Sequence, residues 1–309
     1  MKITSLEVTP LRNRGLLLQV HTDEGLVGLG SPMNYEHGRT VERALLDMSD
    51  YLIGRDPRQI EDHWQVLFRS SYSRQMPILL SALSGLEMAC LDILGKSLDA
   101  PVWRLLGGSV RDRIRVYSGI GGPDPEQYAD AACAAVDLGF GAVKMTPFPD
   151  PVRFIDTPAM TRKVVARVEA VREAVGAEVD IAIDFHRAVS PAMAKILLRE
   201  LEPVQPLFVE EPTHPENVDA LLEITRSTHI PIATGERNTT RWGFREICEK
   251  KAAAILQPDI RHCGGILEMK KISSLAEIHY MAMAPHSAAD AVGVVASLHA
   301  MAGTPNFLI

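Results

Sequence analysis

The chain has 309 residues, 46% of them hydrophobic and 23% charged, which excludes disorder, collagen and coiled coil and leaves length for one large domain with a smaller appendage. A net charge of −7 with no run of Lys and Arg argues against a nucleic-acid partner. The longest apolar run, around Leu79 to Leu94, is broken by Ser, Glu and Asp short of a membrane span, and Met1-Lys2-Ile3 enters a strand pattern rather than a signal peptide, so a soluble cytoplasmic protein with no membrane partner is expected.

Residues 2 to 31 alternate in short extended runs, Ile3-Thr4-Ser5-Leu6-Glu7-Val8 and Leu16-Leu17-Leu18-Gln19-Val20, with Asp23-Glu24-Gly25 as a turn before Leu26-Val27-Gly28. Three stretches with apolar residues at helical spacing follow, about Thr40 to Ile53, Pro57 to Phe68 and Ile78 to Leu98. A meander followed by helices predicts a small α+β domain, here residues 1–112.

From about Arg115, residues 113–309 change to a βα alternation. Candidate strands are Val116-Tyr117-Ser118, Ala142-Val143-Lys144-Met145, Ile181-Ala182-Ile183-Asp184, Leu207-Phe208-Val209-Glu210, Ile232-Ala233-Thr234-Gly235, Ala254-Ile255-Leu256-Gln257, Met281-Ala282-Met283-Ala284 and Asn306-Phe307-Leu308. Helices are expected over 125–138, 158–175, 191–201, 216–227, 241–251, 265–279 and 291–302. Periodicity alone suits a closed barrel or an open doubly wound sheet. The polar residues separate the two, because Asp184, Glu210, Glu236, Asp259 and His286 each end an apolar run and would gather on one rim of a barrel.

Cys90, Cys133, Cys248 and Cys263 form no close pair, which fits neither a disulfide framework nor a thiolate metal site. Cys90 and Cys133 lie in apolar helical patterns and are expected in the core; Cys263, in a barrel loop, is read as an ordinary reduced residue rather than one touching the pocket.

Asp184, Glu210 and Glu236 follow one another at intervals of 26 residues, one strand-helix unit each. Equal steps place them on neighbouring strands at one height, where three carboxylates repel unless a cation or protons lie between them. All-oxygen ligands suit Mg²⁺ and, less often, Mn²⁺. A single acidic residue in a barrel loop is more often a helix cap or an ion pair; three in step favour the metal. Glu211 points elsewhere by strand alternation.

His186 follows the first of these carboxylates by two residues, and His286 ends the seventh strand. Asp259 ends the sixth, 27 residues before His286, so a carboxylate could orient that imidazole and raise its basicity. His37, His63, His214, His229, His262, His279 and His299 are read as core or surface residues. Lys144 at the end of the second strand and Arg237 after Glu236 are placed against a substrate, with an ion pair to a neighbouring carboxylate as the other reading of each.

At these residues the chain resembles the mandelate racemase-like branch of the enolase superfamily, most closely its galactonate dehydratase-type members. The matching motifs are Ile183-Asp184-Phe185-His186, Val209-Glu210-Glu211-Pro212, Ala233-Thr234-Gly235-Glu236-Arg237, Gln257-Pro258-Asp259 and Ala284-Pro285-His286, with Gly95-Lys96 through Pro101-Val102 to Leu105-Leu106-Gly107-Gly108 as the passage between domains. The resemblance implies a modified (β/α)7β barrel closed by an α+β N-terminal capping domain, with Mg²⁺ on Asp184, Glu210 and Glu236. It implies His286 with Asp259 as the base that takes the proton next to the substrate carboxylate, and His186 as the acid. The implied reaction is dehydration of a galactonate- or gluconate-like aldonic acid to a 2-keto-3-deoxy acid, in a homo-oligomer.

Three features depart from that pattern. Lys144-Met145-Thr146 stands where racemase-type members carry Lys-x-Lys, which disfavours racemisation of the mandelate type. Ser287-Ala288-Ala289-Asp290 follows His286 where dehydratases continue with Asn or Cys, Pro, Leu and Gly. The resemblance also implies a stretch beyond the eighth strand, with a further Glu and a return to the cap, which the sequence to Ile309 does not contain. Two alternatives keep the same residues: an epimerase or racemase using His186 and His286 on opposite faces of one carbon, and a noncatalytic sugar-acid-binding paralogue. Specificity is expected from cap loops at Ser31 to Arg39 and Tyr72 to Arg74.

Overall fold

The computed structural model describes residues 1–309 except 13–14, 34–36, 71, 73–75, 150–151 and 288–289. Parts of the two cap loops expected to set specificity, and of the segment after His286, thus lie outside the described residues.

The chain opens with an antiparallel sheet of β1 (Ile3–Pro10), β2 (Leu16–Thr22) and β3 (Val27–Gly30). In β2 the alternation is strict: Leu16, Leu18, Val20 and Thr22 are buried while the residues between them are half-buried, as a strand with one core face requires. Helices α1 (Gly38–Leu52) and α3 (Pro77–Ser97) pack against that sheet, and α2 (Ile60–Ser70) packs on α3. The sheet lies so close to α3 that a Cβ on Gly28 or Gly30 would stand 2.1 Å and 2.0 Å from the carbonyl oxygens of Ala89 and Gly85; only glycine fits there.

Helix α3 is long and apolar enough to cross a membrane, contrary to the expectation that its polar residues would leave it short. It is instead a core helix, 78% of its most apolar window being buried between cap and barrel. Ser81 and Ser84 donate to carbonyls of their own helix, and Ser84 and Glu87 accept backbone N–H groups of residues 264–267, which explains how polar side chains sit in so apolar a helix.

After α4 (Val102–Leu105) the barrel strands β4 (Ser118–Ile120), β5 (Ala142–Met145), β6 (Asp180–Asp184), β7 (Phe208–Glu210), β8 (Ile232–Thr234), β9 (Ile255–Leu256) and β10 (Ala282–Met283) lie side by side in chain order, all parallel. The helices between them are α5 (Pro125–Asp137), α6 (Pro158–Val175), α7 (Pro191–Leu201), α8 (Val218–Thr225), α9 (Thr240–Lys250) and α10 (Ile266–Ile278), and α11 (Ala291–Ala302) follows β10. Their starts are written in the sequence. Asp124, Thr157, Ser190, Asn217 and Asp290 each accept a backbone N–H of the following first turn, and Pro125, Pro158 and Pro191 open three of those helices.

Strand alternation divides the apolar residues into two cores. Val143, Ile181, Ile183, Val209, Ile232, Leu256 and Met283 face the helices, whereas Ala142, Ala182, Phe208, Ala233, Ile255, Ala284 and Ile309 fill the barrel interior, with Tyr117 and Leu308 against them. This interior cluster draws on both ends of the strand order, so the sheet is wrapped into a barrel.

Three expectations need correction. The first strand lies at Ser118–Ile120, two residues later than its Val-Tyr pair suggested, because its register is set by pairing with Val143 to Met145 of β5. The eighth strand reduces to one parallel bridge, Met283 to Phe307; Met283 N–H donates to Asn306 O and Leu308 N–H to Met283 O, both at 2.8 Å. Cys133 is exposed: α5 turns Tyr128, Ala132 and Ala135 inward, and Cys133 falls outside that stripe. Cys90 is buried as expected, and Cys263 is buried too.

Candidate active site

The strand ends meet at one rim. Asp184 and Glu210 close β6 and β7 as register partners, and both are buried. Glu236 stands two residues past β8, after Gly235, whose φ of +133° and lack of a Cβ let the turn pass the Phe244 ring; a Cβ there would be 2.6 Å from it.

Lys144 from β5 lies 2.6 Å from the Glu210 carboxylate and 3.4 Å from Asp184 Oδ2, with Tyr117 beneath its ammonium. The structure thus places Lys144 in the ion pair that was the other sequence reading. Burial alone would lower the Lys144 ammonium, but Glu210, Tyr117 and Asp184 outweigh it and raise it. Burial, then the charge of Asp184, raises Glu210 against the opposing pull of Lys144. Gln257 Nε2 donates to Glu210 Oε2 at 2.6 Å.

Glu236 is held by Arg187, whose Nη1 lies 2.8 Å from its Oε1; Arg237 Nε is farther, at 3.6 Å, on a half-exposed side chain. Glu211 turns away from the rim, with φ +46°, and accepts Thr234 Oγ1 at 2.7 Å and Gly235 N–H at 3.1 Å, its pKa pushed up to about 7 by burial.

His286 bridges two carboxylates. Its Nδ1 is 2.8 Å from Asp259 Oδ2 and its Nε2 is 3.3 Å from Glu236 Oε2. Asp259 is completely buried and clamped by Arg261 through Nε, Nη2 and backbone N–H at 3.1, 2.8 and 2.9 Å. Burial would raise Asp259, but its His286 hydrogen bond and the Arg261 charge hold it well below the usual carboxylate range. Burial would likewise lower His286, and the hydrogen bond and charge of Asp259 raise it instead. His186 lies on β6's side of the rim, half-exposed; its backbone N–H donates to Asp184 Oδ1 at 2.7 Å and its Nδ1 stands 3.8 Å from Asp184 Oδ2. β7, β8 and β9 separate β6 from β10, so the two histidines come from different sides of the rim.

The rim fits a hard divalent cation by chemistry: its donors are all carboxylate oxygens, and Glu210 is buried beside Asp184 at an electrostatic cost that a cation would offset. In the side-chain positions adopted, no group of three or more His, Cys, Asp and Glu among the described residues closes on a single point. The protein's own cations take the carboxylates instead, Lys144 on Asp184 and Glu210, and Arg187 on Glu236.

Sequence reading missed Arg187, Gln257 and Arg261 as parts of this site. Gln257 and Arg261 lie two residues to either side of Asp259, and Arg187 directly follows His186, which is the signal that could have found them.

Residues 7–107 match the family described as mandelate racemase / muconate lactonizing enzyme, N-terminal domain, and residues 127–309 match the enolase C-terminal domain-like family. Among solved structures, a mandelate racemase/muconate lactonizing enzyme-like protein from Rubrobacter xylanophilus is 35% identical with a TM-score of 0.96, the match covering 100% of this chain and 85% of that one. A protein from Mesorhizobium loti named provisionally as a dehydratase is 34% identical with a TM-score of 0.96, over 100% of this chain and 86% of its own. A further one from Salmonella typhimurium, named in the same way, is 33% identical, with the same TM-score and the same coverage. The chain therefore belongs to the enolase superfamily, in its mandelate racemase/muconate lactonizing enzyme branch.

Proposed function

We propose that the protein is a hydro-lyase that dehydrates an aldonic acid of the galactonate or gluconate type to its 2-keto-3-deoxy acid, with Mg²⁺ on Asp184, Glu210 and Glu236. The observation that carries this reading is the hydrogen bond between His286 Nδ1 and Asp259 Oδ2 at 2.8 Å, with the opposite ring nitrogen facing Glu236 across the rim. A base oriented and made more basic by a buried carboxylate is what removal of a weakly acidic α-proton requires.

When bound, Mg²⁺ supplies positive charge next to the substrate carboxylate, where negative charge develops as the α-proton leaves. The chain's residues do the rest. His286 Nε2 takes the α-proton, and the C–H electron pair moves onto the carboxylate. The pair returns to form a Cα–Cβ double bond as the β-hydroxyl departs, protonated by His186 to leave as water. The resulting enol tautomerises to the 2-keto acid. Half-exposed His186 exchanges protons with solvent easily, which suits a group that must be recharged on every turnover. Arg237, half-exposed beside Glu236, is positioned to meet a substrate anion.

The names of the Mesorhizobium and Salmonella relatives agree with a dehydratase. Epimerisation is the second reading, favoured by histidines on different sides of the rim. The test is a panel of aldonic and aldaric acids with Mg²⁺, read by 2-keto-3-deoxy acid formation. Product formed by the wild type and lost in His286→Ala supports dehydration. Solvent deuterium entering the α-position without loss of water would replace it with epimerisation, and Mg²⁺ and aldonate binding without either reaction would leave a binding paralogue.

A further inference from the structure

Helix α10 begins without a cap of its own. Its N-cap position is Gly265, at φ +95°, which has no side chain to offer. The missing acceptor comes from the other domain: Glu87 on α3 takes Ile266 N–H on Oε2 at 2.7 Å and Leu267 N–H on Oε1 at 2.8 Å. The approach is so close that a Cβ on Gly265 would lie 2.1 Å from Glu87 Oε2.

Glu87 is one of three polar residues at three-residue spacing on the barrel-facing side of α3. Ser84 Oγ accepts Gly264 N–H at 2.9 Å, and Ser81 Oγ meets His262 Nδ1 at 3.3 Å. Trp64 of α2 adds a bond from Nε1 to Gly264 O at 2.9 Å. All these contacts fall on residues 262–267. That short segment begins three residues after Asp259, and Asp259 O accepts His262 N–H at 3.0 Å and Cys263 N–H at 2.7 Å. One turn into α10, Glu268 accepts Arg241 N–H at 2.8 Å at the start of α9, the helix that follows the Glu236 turn. Thr239, the N-cap of α9, provides no side-chain bond there.

We propose that Glu87 is a positioning residue for the Asp259–His286 pair: by capping α10 from the capping domain it fixes the loop that aims Asp259 at His286 Nδ1. This rests on the reading of His286 as the base. Cap docking and readiness of the base are then one event, because the segment that follows Asp259 takes its helix cap from the other domain.

The test uses the full chain and needs no substrate. The ring nitrogens of ¹⁵N-labelled histidine are observed by NMR, with His286 assigned from the spectrum of His286→Asn. In the wild type His286 shows one signal with Nδ1 protonated, as its bond to Asp259 requires. Glu87→Ala and Gly265→Ala are expected to replace it with a mixed or exchange-broadened signal, while Glu87→Gln, which keeps one acceptor, stays nearer the wild type. Leu45→Ala in the cap core is the control: it lowers stability and leaves the His286 signal unchanged. Where an aldonate substrate has been found, kcat in Glu87→Ala should fall roughly 10–100-fold with KM little changed, the size typical of losing an outer-shell partner. An unaltered His286 signal in folded Glu87→Ala or Gly265→Ala overturns the proposal, whether or not the protein proves to be a dehydratase. If neither variant folds, Glu87→Asp, whose shorter side chain cannot reach both amides, decides by the same signal, an unaltered His286 overturning the proposal.

Discussion

Arg261 and Asp259, two residues apart in sequence, form a buried pair whose guanidinium meets both oxygens of the carboxylate, at 3.1 and 2.8 Å, while the outer oxygen is shared with His286. Such a pair costs much to desolvate and more to break. In Asp259→Asn the Arg261 guanidinium loses its carboxylate partner and His286 loses its charged acceptor. The variant should lose roughly 3–5 kcal/mol of stability, read from urea midpoints, and kcat should fall roughly 10–100-fold on any substrate the wild type accepts. A stable Asp259→Asn with wild-type turnover would refute both assignments.

Millimolar Mg²⁺ should raise the melting temperature of the wild type, by about 2.7 kcal/mol of added stability at a hundredfold excess over Kd, and EDTA should reverse it. Asp184→Asn and Glu236→Gln should lose the response. A Mg²⁺ response that survives in both variants would place the ion elsewhere.

Burial raises Glu87 from its ordinary 4.5 to about 8, against the pull of the Leu267 and Ile266 amides and of Lys271, with Glu268 adding to the rise. Between those values the folded protein binds more protons than the unfolded chain, so this group's contribution to stability falls as pH rises through the window and is level below 4.5. Glu87→Gln has no proton to lose there. Its urea midpoint should therefore fall less steeply than that of the wild type between about pH 5 and pH 8; parallel slopes would count against the shift. Glu268, raised in the same direction by burial, acts in both proteins alike.

Of the four cysteines, Cys133 alone is exposed, while burial raises Cys248 to about 11 and lifts Cys90 and Cys263 higher still. A thiol reagent should modify one cysteine in the native protein, located by mass spectrometry at Cys133, and the others only after denaturation.

Phe208 fills the barrel floor with no exposed surface. Phe208→Ala should cost about 3–5 kcal/mol, measured by denaturant unfolding, because the small residues around it, Ala142, Ala182 and Ala233, cannot close the gap.

The strand ends were legible because each carries a polar residue where an apolar run stops, and evenly repeated βα units bring such residues to one level. Helix starts were legible from Asp, Thr, Ser and Pro at the caps. The edges of the short strands were less so: Val116 has the stronger β propensity, yet pairing with β5 places the strand on Ser118 to Ile120. Nothing local marks Glu87 as a cap for α10, since its partners lie 179 and 180 residues away. Lys144 was visible as a rim residue, but its reach to both Glu210 and Asp184 depends on side-chain packing, which sequence does not encode.

The seam between α3 and the 262–267 segment also sets an order of assembly. Its bonds from Trp64, Ser81, Ser84 and Glu87 join partners 179 to 200 residues apart. On the ribosome the cap emerges first, and the barrel-facing side of α3 must wait, uncovered, until β9 and α10 have been made. Contacts of such long loop closure form late. In refolding, helical signal should therefore return before the base loop is locked, and the interval between them is when this chain is most open to aggregation or to capture by a chaperone.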